Sequence, residues 1–357
     1  MAEFYKLKVK DIYKETNDTS VVSFDVPLEL QKAFIFSQGQ HLTLKTIIDS
    51  EDVRRSYSLC SSPFDNEWKV AVKEIPGGKF STFVNSTLKI GDELEVMPPS
   101  GTFGVKCNAE NAKNYLFFAA GSGITPILSM IKAHLASEPN STCKLFYVNK
   151  TAKSIIFKEE LEQLRNTYFG RLEIYYFLTK EKRDIELFNG RFDDDKMKVL
   201  TKTFIDIPDT SEVFLCGPED MVNYVSNYLA EAGLPKELIH FELFVKGLTE
   251  EDKKRVERLS EQKIDGVEVI IIDGGKEFRF TMQKDDDNIL DGALTAGADL
   301  PFACKGGVCS TCKCQVMEGE VEMKINYALE EGEVAQSYVL SCQAVPTTKR
   351  VVVDFDV

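Results

Sequence analysis

Apolar and polar residues alternate in short bursts over the first 105 positions: Leu7/Val9, Val22/Phe24/Val26, Leu42/Leu44, Trp68/Val70/Val72 and Leu94/Val96. Side chains of a strand point alternately to its two faces, so a period of two predicts half-buried strands. Pro76-Gly77-Gly78 and Pro98-Pro99-Ser100-Gly101 supply turns between them. Many short strands punctuated in this way predict a closed antiparallel β-barrel over residues 1–105.

The rhythm changes near residue 106. Tyr115–Ala120, Leu145–Asn149, Ile174–Thr179 and Val213–Cys216 are near-continuous apolar runs, as expected for strands buried on both faces. Helical stretches lie between them at Ser154–Arg165 and Glu219–Ala232, the latter ended by Gly233. Residues 106–245 therefore predict an α/β domain with a parallel sheet. Residues 246–263 are almost wholly charged, as in Glu250-Glu251-Asp252-Lys253-Lys254-Arg255, and predict a tether with at most a helical turn or two. Residues 264–357 form the last segment: a strand pair at Val267–Ile272 and Phe278–Met282, a helix at Asn288–Ala296, then a cysteine-rich loop.

Composition adds limits. With 43% hydrophobic and 28% charged residues, the 357-residue chain has enough apolar material for two or three cores. Tyr115–Ala120, the most apolar run, is too short to cross a bilayer, and the stretch from Met1 to Lys6 lacks the apolar core of a signal peptide. A cytoplasmic protein without a membrane partner is the expectation. A net charge of −14 argues against a nucleic-acid surface. From residue 264 onward there are 17 acidic and 8 basic residues, a balance of −9 against −5 for everything before. That acidity suits either docking to a basic partner or plain solubility.

Nine cysteines in such a chain do not read as a disulfide framework. Cys304-x4-Cys309-x2-Cys312, with Cys342 after 29 further residues, matches the plant-type spacing for a [2Fe–2S] cluster. Two ferric ions and two sulfides need four thiolates, and the anionic core needs backbone N–H groups around its sulfur atoms. Lys305-Gly306-Gly307-Val308 can wrap closely because its glycines tolerate unusual backbone angles. Tyr338-Val339-Leu340 reads as a strand that delivers Cys342 from the core side. A zinc site would pair two short-spaced couples, whereas Cys342 stands alone. A redox pair at Cys309 and Cys312 would open a helix without a preceding glycine loop. Cys314 and Cys143 read as buried thiols, and His41, His134 and His240 as structural.

Gly121-Ser122-Gly123-Ile124-Thr125-Pro126 follows the Tyr115–Ala120 strand directly. Thr125 is expected to cap the next helix and Pro126 to occupy its first turn. Glycines at a strand-to-helix turn let a pyrophosphate approach the helix N-terminus. By itself the motif is also compatible with a simple tight turn. Upstream stand Arg55-Ser56-Tyr57-Ser58 at the end of a barrel strand and Gly77-Gly78-Lys79-Phe80-Ser81. Downstream, Cys216-Gly217-Pro218 closes a strand.

This order of motifs resembles the ferredoxin–NADP reductase superfamily with a plant-type ferredoxin domain fused at the C-terminus, over essentially the full length. The resemblance implies an antiparallel β-barrel FAD domain, an α/β parallel-sheet NADP domain and a β-grasp α+β ferredoxin domain. It implies that Arg55 holds the FAD pyrophosphate, that Tyr57 lies against the isoalloxazine, and that Ser58 sits near its reactive nitrogen. Gly78, Lys79, Phe80 and Ser81 would offer backbone N–H groups and a hydroxyl to the same pyrophosphate. Gly121, Gly123 and Thr125 would line the nicotinamide nucleotide site, and Cys216, Gly217 and Pro218 would border the nicotinamide. Glu242 and Phe244 would close the flavin pocket. Tyr57, Ser58, Cys216 and Glu242 are thus the candidate catalytic residues.

NADPH rather than NADH is the expected donor. Asn149-Lys150-Thr151 follows the second strand where an NAD enzyme usually places an acid, and Lys180 ends the third strand, where relatives often carry arginine. Lys150 and Lys180 also read as ordinary surface charges. The C-terminal stretches Pro301–Cys309, Asn326–Glu330 and Tyr338–Gln343 further resemble the reductase components of bacterial phenylacetyl-CoA epoxidases. That likeness implies a diiron oxygenase as electron acceptor. A reductase for a steroid, ring or alkane hydroxylase, a bare electron carrier and a cluster-based redox sensor are the competing readings. Asn326–Glu330 has no cluster role evident from sequence.

Overall fold

The computed structural model describes residues 4–244 and 250–356. They cluster into two compact units. One is built from 6–53 and 57–244, and the other from 250–356 with the short pieces 4–5 and 54–56.

In the first unit, β1 (Tyr5–Thr16), β2 (Thr19–Asp25), β3 (His41–Ile48), β4 (Glu51–Ser58), β5 (Trp68–Lys73) and β6 (Glu93–Val96) form one sheet. Its order is β4-β3-β6-β1-β2-β5. An antiparallel bridge between Leu59 and Val70 ties the β4 end to β5 and curls the sheet toward closure. Leu7, Val9, Val22, Phe24, Leu42, Leu44, Val70, Val72 and Val96 are buried, so the period-two pattern marks the barrel core. One element differs. The glycines before Lys79 launch α1 (Lys79–Ser86) instead of a bare turn, with Phe80 and Val84 buried at i, i+4 spacing.

The following lobe is a parallel sheet of β7 (Asn114–Ala120), β8 (Thr142–Asn149), β9 (Leu172–Leu178), β10 (Glu212–Gly217) and β11 (Ile239–Leu243), ordered β11-β10-β7-β8-β9. The helices are α2 (Ile124–Ser137), α3 (Lys158–Thr167), α4 (Asp194–Thr203) and α5 (Glu219–Glu231). Strand order reverses between β7 and β10, which opens a crevice at their carboxyl ends. Two expectations change. Gly121–Gly123 already turn as a 3-10 helix, so α2 starts at Ile124 with Gly123 at its N-cap. Thr125 therefore lies inside the first turn rather than capping it, and its hydroxyl donates to the Ser122 carbonyl at 3.0 Å. Similarly, a capping box closed by Thr151 and Ser154 spends residues 152–154 on a 3-10 turn, so α3 begins at Lys158 instead of Ser154.

The second unit opens with α6 (Glu250–Glu261). Positions 246–249 of the expected tether lie outside the described residues; from 250 the charged stretch is a helix with Asp252 and Leu259 buried. Then come β12 (Val267–Asp273), β13 (Lys276–Met282), α7 (Ile289–Thr295), β14 (Lys313–Glu318), β15 (Val321–Met323), α8 (Glu331–Ala335), β16 (Tyr338–Leu340), β17 (Ala344–Pro346) and β18 (Arg350–Asp354). The main sheet runs β13-β12-β18-β14-β16, with β12 and β18 parallel and the other pairs antiparallel. Ile289, Leu290 and Ala293 of α7 join Val269, Ile271, Val351 and Val353 in one core, the β-grasp arrangement. Among the described residues no helix is long and apolar enough to cross a membrane.

Candidate flavin, nicotinamide and iron–sulfur sites

β4 carries the first candidates. Arg55 is exposed and donates from Nη1 to the Arg54 carbonyl at 2.7 Å. Tyr57 is half-buried with its ring 5.7 Å from that of Phe80. Ser58 is buried, and its hydroxyl donates to Glu242 Oε2 at 3.3 Å. Glu242 lies on β11 in register with Cys216 of β10. Ser58 and Glu242, 184 residues apart in the chain, thus meet where the barrel joins the sheet, with Cys216 on the adjacent strand. Phe244 packs partly buried against the core cluster that contains Cys216.

Beside β4, α1 begins at Gly78 with no side-chain cap and no acid in its first turn, which leaves N–H groups and the helix dipole for an anion. Lys79 is exposed and paired with Glu51 at 2.5 Å. Phe80 is core. The Ser81 hydroxyl is held within the turn, donating to the Gly78 carbonyl at 3.2 Å and accepting from Ile75 N at 3.1 Å.

At the carboxyl end of β7 the backbone itself makes the site. A Cβ on Gly123 would stand 2.1 Å from the Cys216 carbonyl oxygen, and one on Gly217 would stand 3.0 Å from Ala120 Cβ. Only glycine permits this approach, so Gly121–Gly123 and Cys216-Gly217-Pro218 form adjoining walls. Gly121 takes φ +54°, and its carbonyl accepts from the Tyr147 hydroxyl at 2.9 Å. The Cys216 thiol is pushed up by burial and, secondarily, by Glu242, which keeps it neutral. Lys150 and Lys180 are exposed neighbours at the ends of β8 and β9, joined by a backbone bond of 2.8 Å from Lys180 N to the Lys150 carbonyl. Glu181, which no sequence motif singles out, accepts from Ala152 N at 2.8 Å.

The cysteine loop wraps as expected. Lys305, Gly307 and Ser310 take left-handed φ values of 52°, 74° and 49°, and Gly306 N approaches Cys304 Sγ at 3.3 Å. The thiols fall into two neighbouring couples, Cys304 with Cys309 and Cys312 with Cys342. Within the first, the Cys309 thiol and the backbone N–H groups of Gly306 and Val308 pull Cys304 below the usual thiol range. In the second, the Cys312 thiol lowers Cys342. Two couples of thiols inside a nest of N–H groups fit two iron ions sharing sulfides. Cys314 is fully buried, as expected for a core thiol. Gln343 stands out in the sequence only as the end of the Tyr338–Gln343 motif; its Nε2 donates to the Lys305 carbonyl at 2.9 Å and lies 3.6 Å from Cys342 Sγ. Its position directly after Cys342 was the available signal.

Elsewhere, Cys107, His134 and Glu138 also meet. Glu138 there accepts from Asn108 N, Asn111, Tyr115 and Ser141 as well as facing His134. Its lone pairs are spent on a hydrogen-bond network that anchors the end of α2.

Comparison with known proteins finds a family for each of the three parts of the chain. Residues 6–104 match the oxidoreductase FAD-binding domain, 117–227 the oxidoreductase NAD-binding domain, and 271–347 the 2Fe-2S iron-sulfur cluster binding domain. The chain belongs to the ferredoxin–NADP reductase superfamily, in the branch that carries a C-terminal [2Fe–2S] ferredoxin domain, and is an oxidoreductase. Within it, the chain is 44% identical to a component of the 1,2-phenylacetyl-CoA epoxidase of Escherichia coli (strain K12), covering 100% of this chain and 99% of that one. It is 33% identical to the ferredoxin reductase component of 3-ketosteroid-9-alpha-monooxygenase from Rhodococcus rhodochrous, over 98% and 96% of the two chains. The solved structure of phthalate dioxygenase reductase shares the fold, with a TM-score of 0.59 at 23% identity over 99% and 98% of the chains.

Proposed function

We propose that this chain takes electrons from NADPH through FAD and a [2Fe–2S] cluster to an oxygenase, and that the acceptor is a diiron phenylacetyl-CoA epoxidase. The observation that carries the path is the hydrogen bond from Ser58 to Glu242 beside the Gly123–Cys216 contact, which makes the flavin and nicotinamide sites a single crevice. FAD, when bound, accepts two electrons as a hydride and hands them on singly, as a one-electron cluster requires.

Each residue then has a task. Arg55 and the first turn of α1, from Gly78 through Ser81, hold the flavin pyrophosphate, with Lys79 and Phe80 contributing backbone. Tyr57 lies along the ring system, and Phe244 covers it. Ser58 and Glu242 hold a hydrogen bond next to the reacting nitrogen, and the neutral Cys216 sets no negative charge against the nicotinamide. Gly121, Gly123 and Thr125 shape the nucleotide loop, bounded by Gly217 and Pro218. Lys150 and Lys180 favour a 2′-phosphate, and Glu181, tied to Ala152 N, shapes that rim. Cys304, Cys309, Cys312 and Cys342 ligate the cluster. No disulfide joins any of the nine cysteines, and we place the chain in the cytoplasm, where thiols stay reduced.

The acceptor rests on the 44% relative. Its test is turnover of phenylacetyl-CoA by the corresponding oxygenase components, driven by this protein with NADPH. Substrate consumption dependent on the reductase is expected, with kcat/KM for NADPH at least about tenfold above that for NADH. Turnover of a 3-ketosteroid by its own oxygenase, without any of phenylacetyl-CoA, would transfer the assignment to the hydroxylase reading.

A further inference from the structure

The Asn326–Glu330 stretch finds a role in the second unit. Asn326 folds it into a turn: Asn326 Oδ1 accepts from Leu329 N at 2.9 Å, and Nδ2 donates to the Leu329 carbonyl at 3.0 Å. Tyr327 projects from this turn with two attachments. Its backbone N–H donates to the carbonyl of Gly307, between Cys304 and Cys309, at 3.0 Å. Its hydroxyl donates to the buried carboxylate of Asp252 in α6.

Asp252 belongs to a narrow stripe on an otherwise charged helix. Asp252, Val256 and Leu259 recur at i, i+4 and i+7, the spacing of one helical face. Asp252 and Leu259 are 6% and 2% exposed. Past Asp252, Arg258 pairs with Glu322 at 2.6 Å, and Lys263 reaches the Asp286 carbonyl at 2.8 Å and Asp287 at 3.4 Å. The helix is therefore fastened along its length to the cluster unit, and Tyr327 links it to the cluster loop as well.

We propose that Tyr327 is a positioning residue that latches α6 to the cluster unit. This latch speeds electron delivery to the cluster by keeping twelve residues out of the chain that joins the two units. Folded, those residues span about 18 Å; released, they add up to about 40 Å of extended chain. A longer connection lowers the effective concentration of one site at the other. The rate consequence rests on the electron path proposed above, whereas the latch itself does not.

Tyr327→Phe strands the Asp252 carboxylate one donor short while keeping the ring and the bond to Gly307. Hydrogen exchange of residues 250–258 in the holoprotein should accelerate by roughly tenfold or more. The flavin-to-cluster rate after mixing with NADPH should fall about threefold. Adding Leu259→Ser should extend exchange across the whole helix and slow the transfer further. Combining Tyr327→Phe with Asp252→Leu removes the stranded carboxylate and should restore both readings. The NADPH-to-FAD rate and the electron paramagnetic resonance spectrum of the dithionite-reduced cluster should stay unchanged in the single and rescued variants.

Unchanged exchange in both weakened variants overturns the latch. Released helix with an unchanged transfer rate overturns its role in delivery, and an altered cluster spectrum without helix release would place Tyr327 in the cluster loop alone. Absence of NADPH-driven cluster reduction in the unmodified protein contradicts the electron path, and exchange still decides whether Tyr327 holds α6.

Discussion

The nicotinamide crevice and the cysteine loop are built by opposite means. In the crevice the decisive atoms are backbone: Gly123 and Gly217 exist so that two strand ends can touch, and few side chains are committed. In the cluster unit the side chains are the site, and backbone N–H groups such as that of Gly306 only surround them. Damage should therefore differ in kind. Adding atoms breaks the first site, and removing sulfur breaks the second.

Cys312→Ser offers the largest effect. The visible absorption of the cluster should be lost, while NADPH still reduces FAD and drives an artificial two-electron acceptor at the wild-type rate. Absorbance and acceptor assays check both halves. Gly123→Ala comes next, because its methyl would stand 2.1 Å from the Cys216 carbonyl and must push the loop aside. Misplacement on that scale costs roughly a hundredfold in kcat/KM for NADPH, with dithionite reduction of the cluster unaffected. Ser58→Ala, which deletes only the bond to Glu242, should lower the hydride-transfer rate by about tenfold with little change in FAD affinity. A stopped-flow trace of flavin bleaching reads it.

The last effect falls on stability rather than turnover, in the barrel that supports the crevice. Burial lowers the pKa of His41 from 6.5 to about 4. Between these values the unfolded chain binds a proton that the folded chain refuses, so stability is lost as pH falls from 6.5 toward 4. The loss approaches about 3 kcal/mol at the acid end. His41→Gln should remove this part of the acid sensitivity in denaturant melts taken across that window.

The same contrast explains what could be read from the sequence. Side-chain chemistry was legible: four cysteines at fixed spacing read as one group and the fold brings them together, and the apolar runs named β7 to β10. Contacts made by the fold were not. Nothing in Gly123 announces that Cys216 lies against it, and nothing joins Ser58 to Glu242 until β11 takes its place beside β10. A threonine is an ordinary cap, which points the sequence pattern to Thr125, whereas two glycines complete the turn before α2 begins. The charged stretch after residue 249 hid its helix for a related reason. Its buried stripe holds an aspartate, which sequence pattern assigns to solvent until a tyrosine hydroxyl is found to meet it.

The central claim is that nicotinamide, flavin and cluster form one electron path. Anaerobic stopped-flow mixing of the holoprotein with NADPH tests it most directly, with flavin and cluster absorbance followed together. Flavin bleaching followed by cluster bleaching is the predicted result, with both phases slowed roughly a hundredfold in Gly123→Ala at limiting NADPH and only the second lost in Cys312→Ser. A flavin that is reduced while the intact cluster stays oxidised would contradict it.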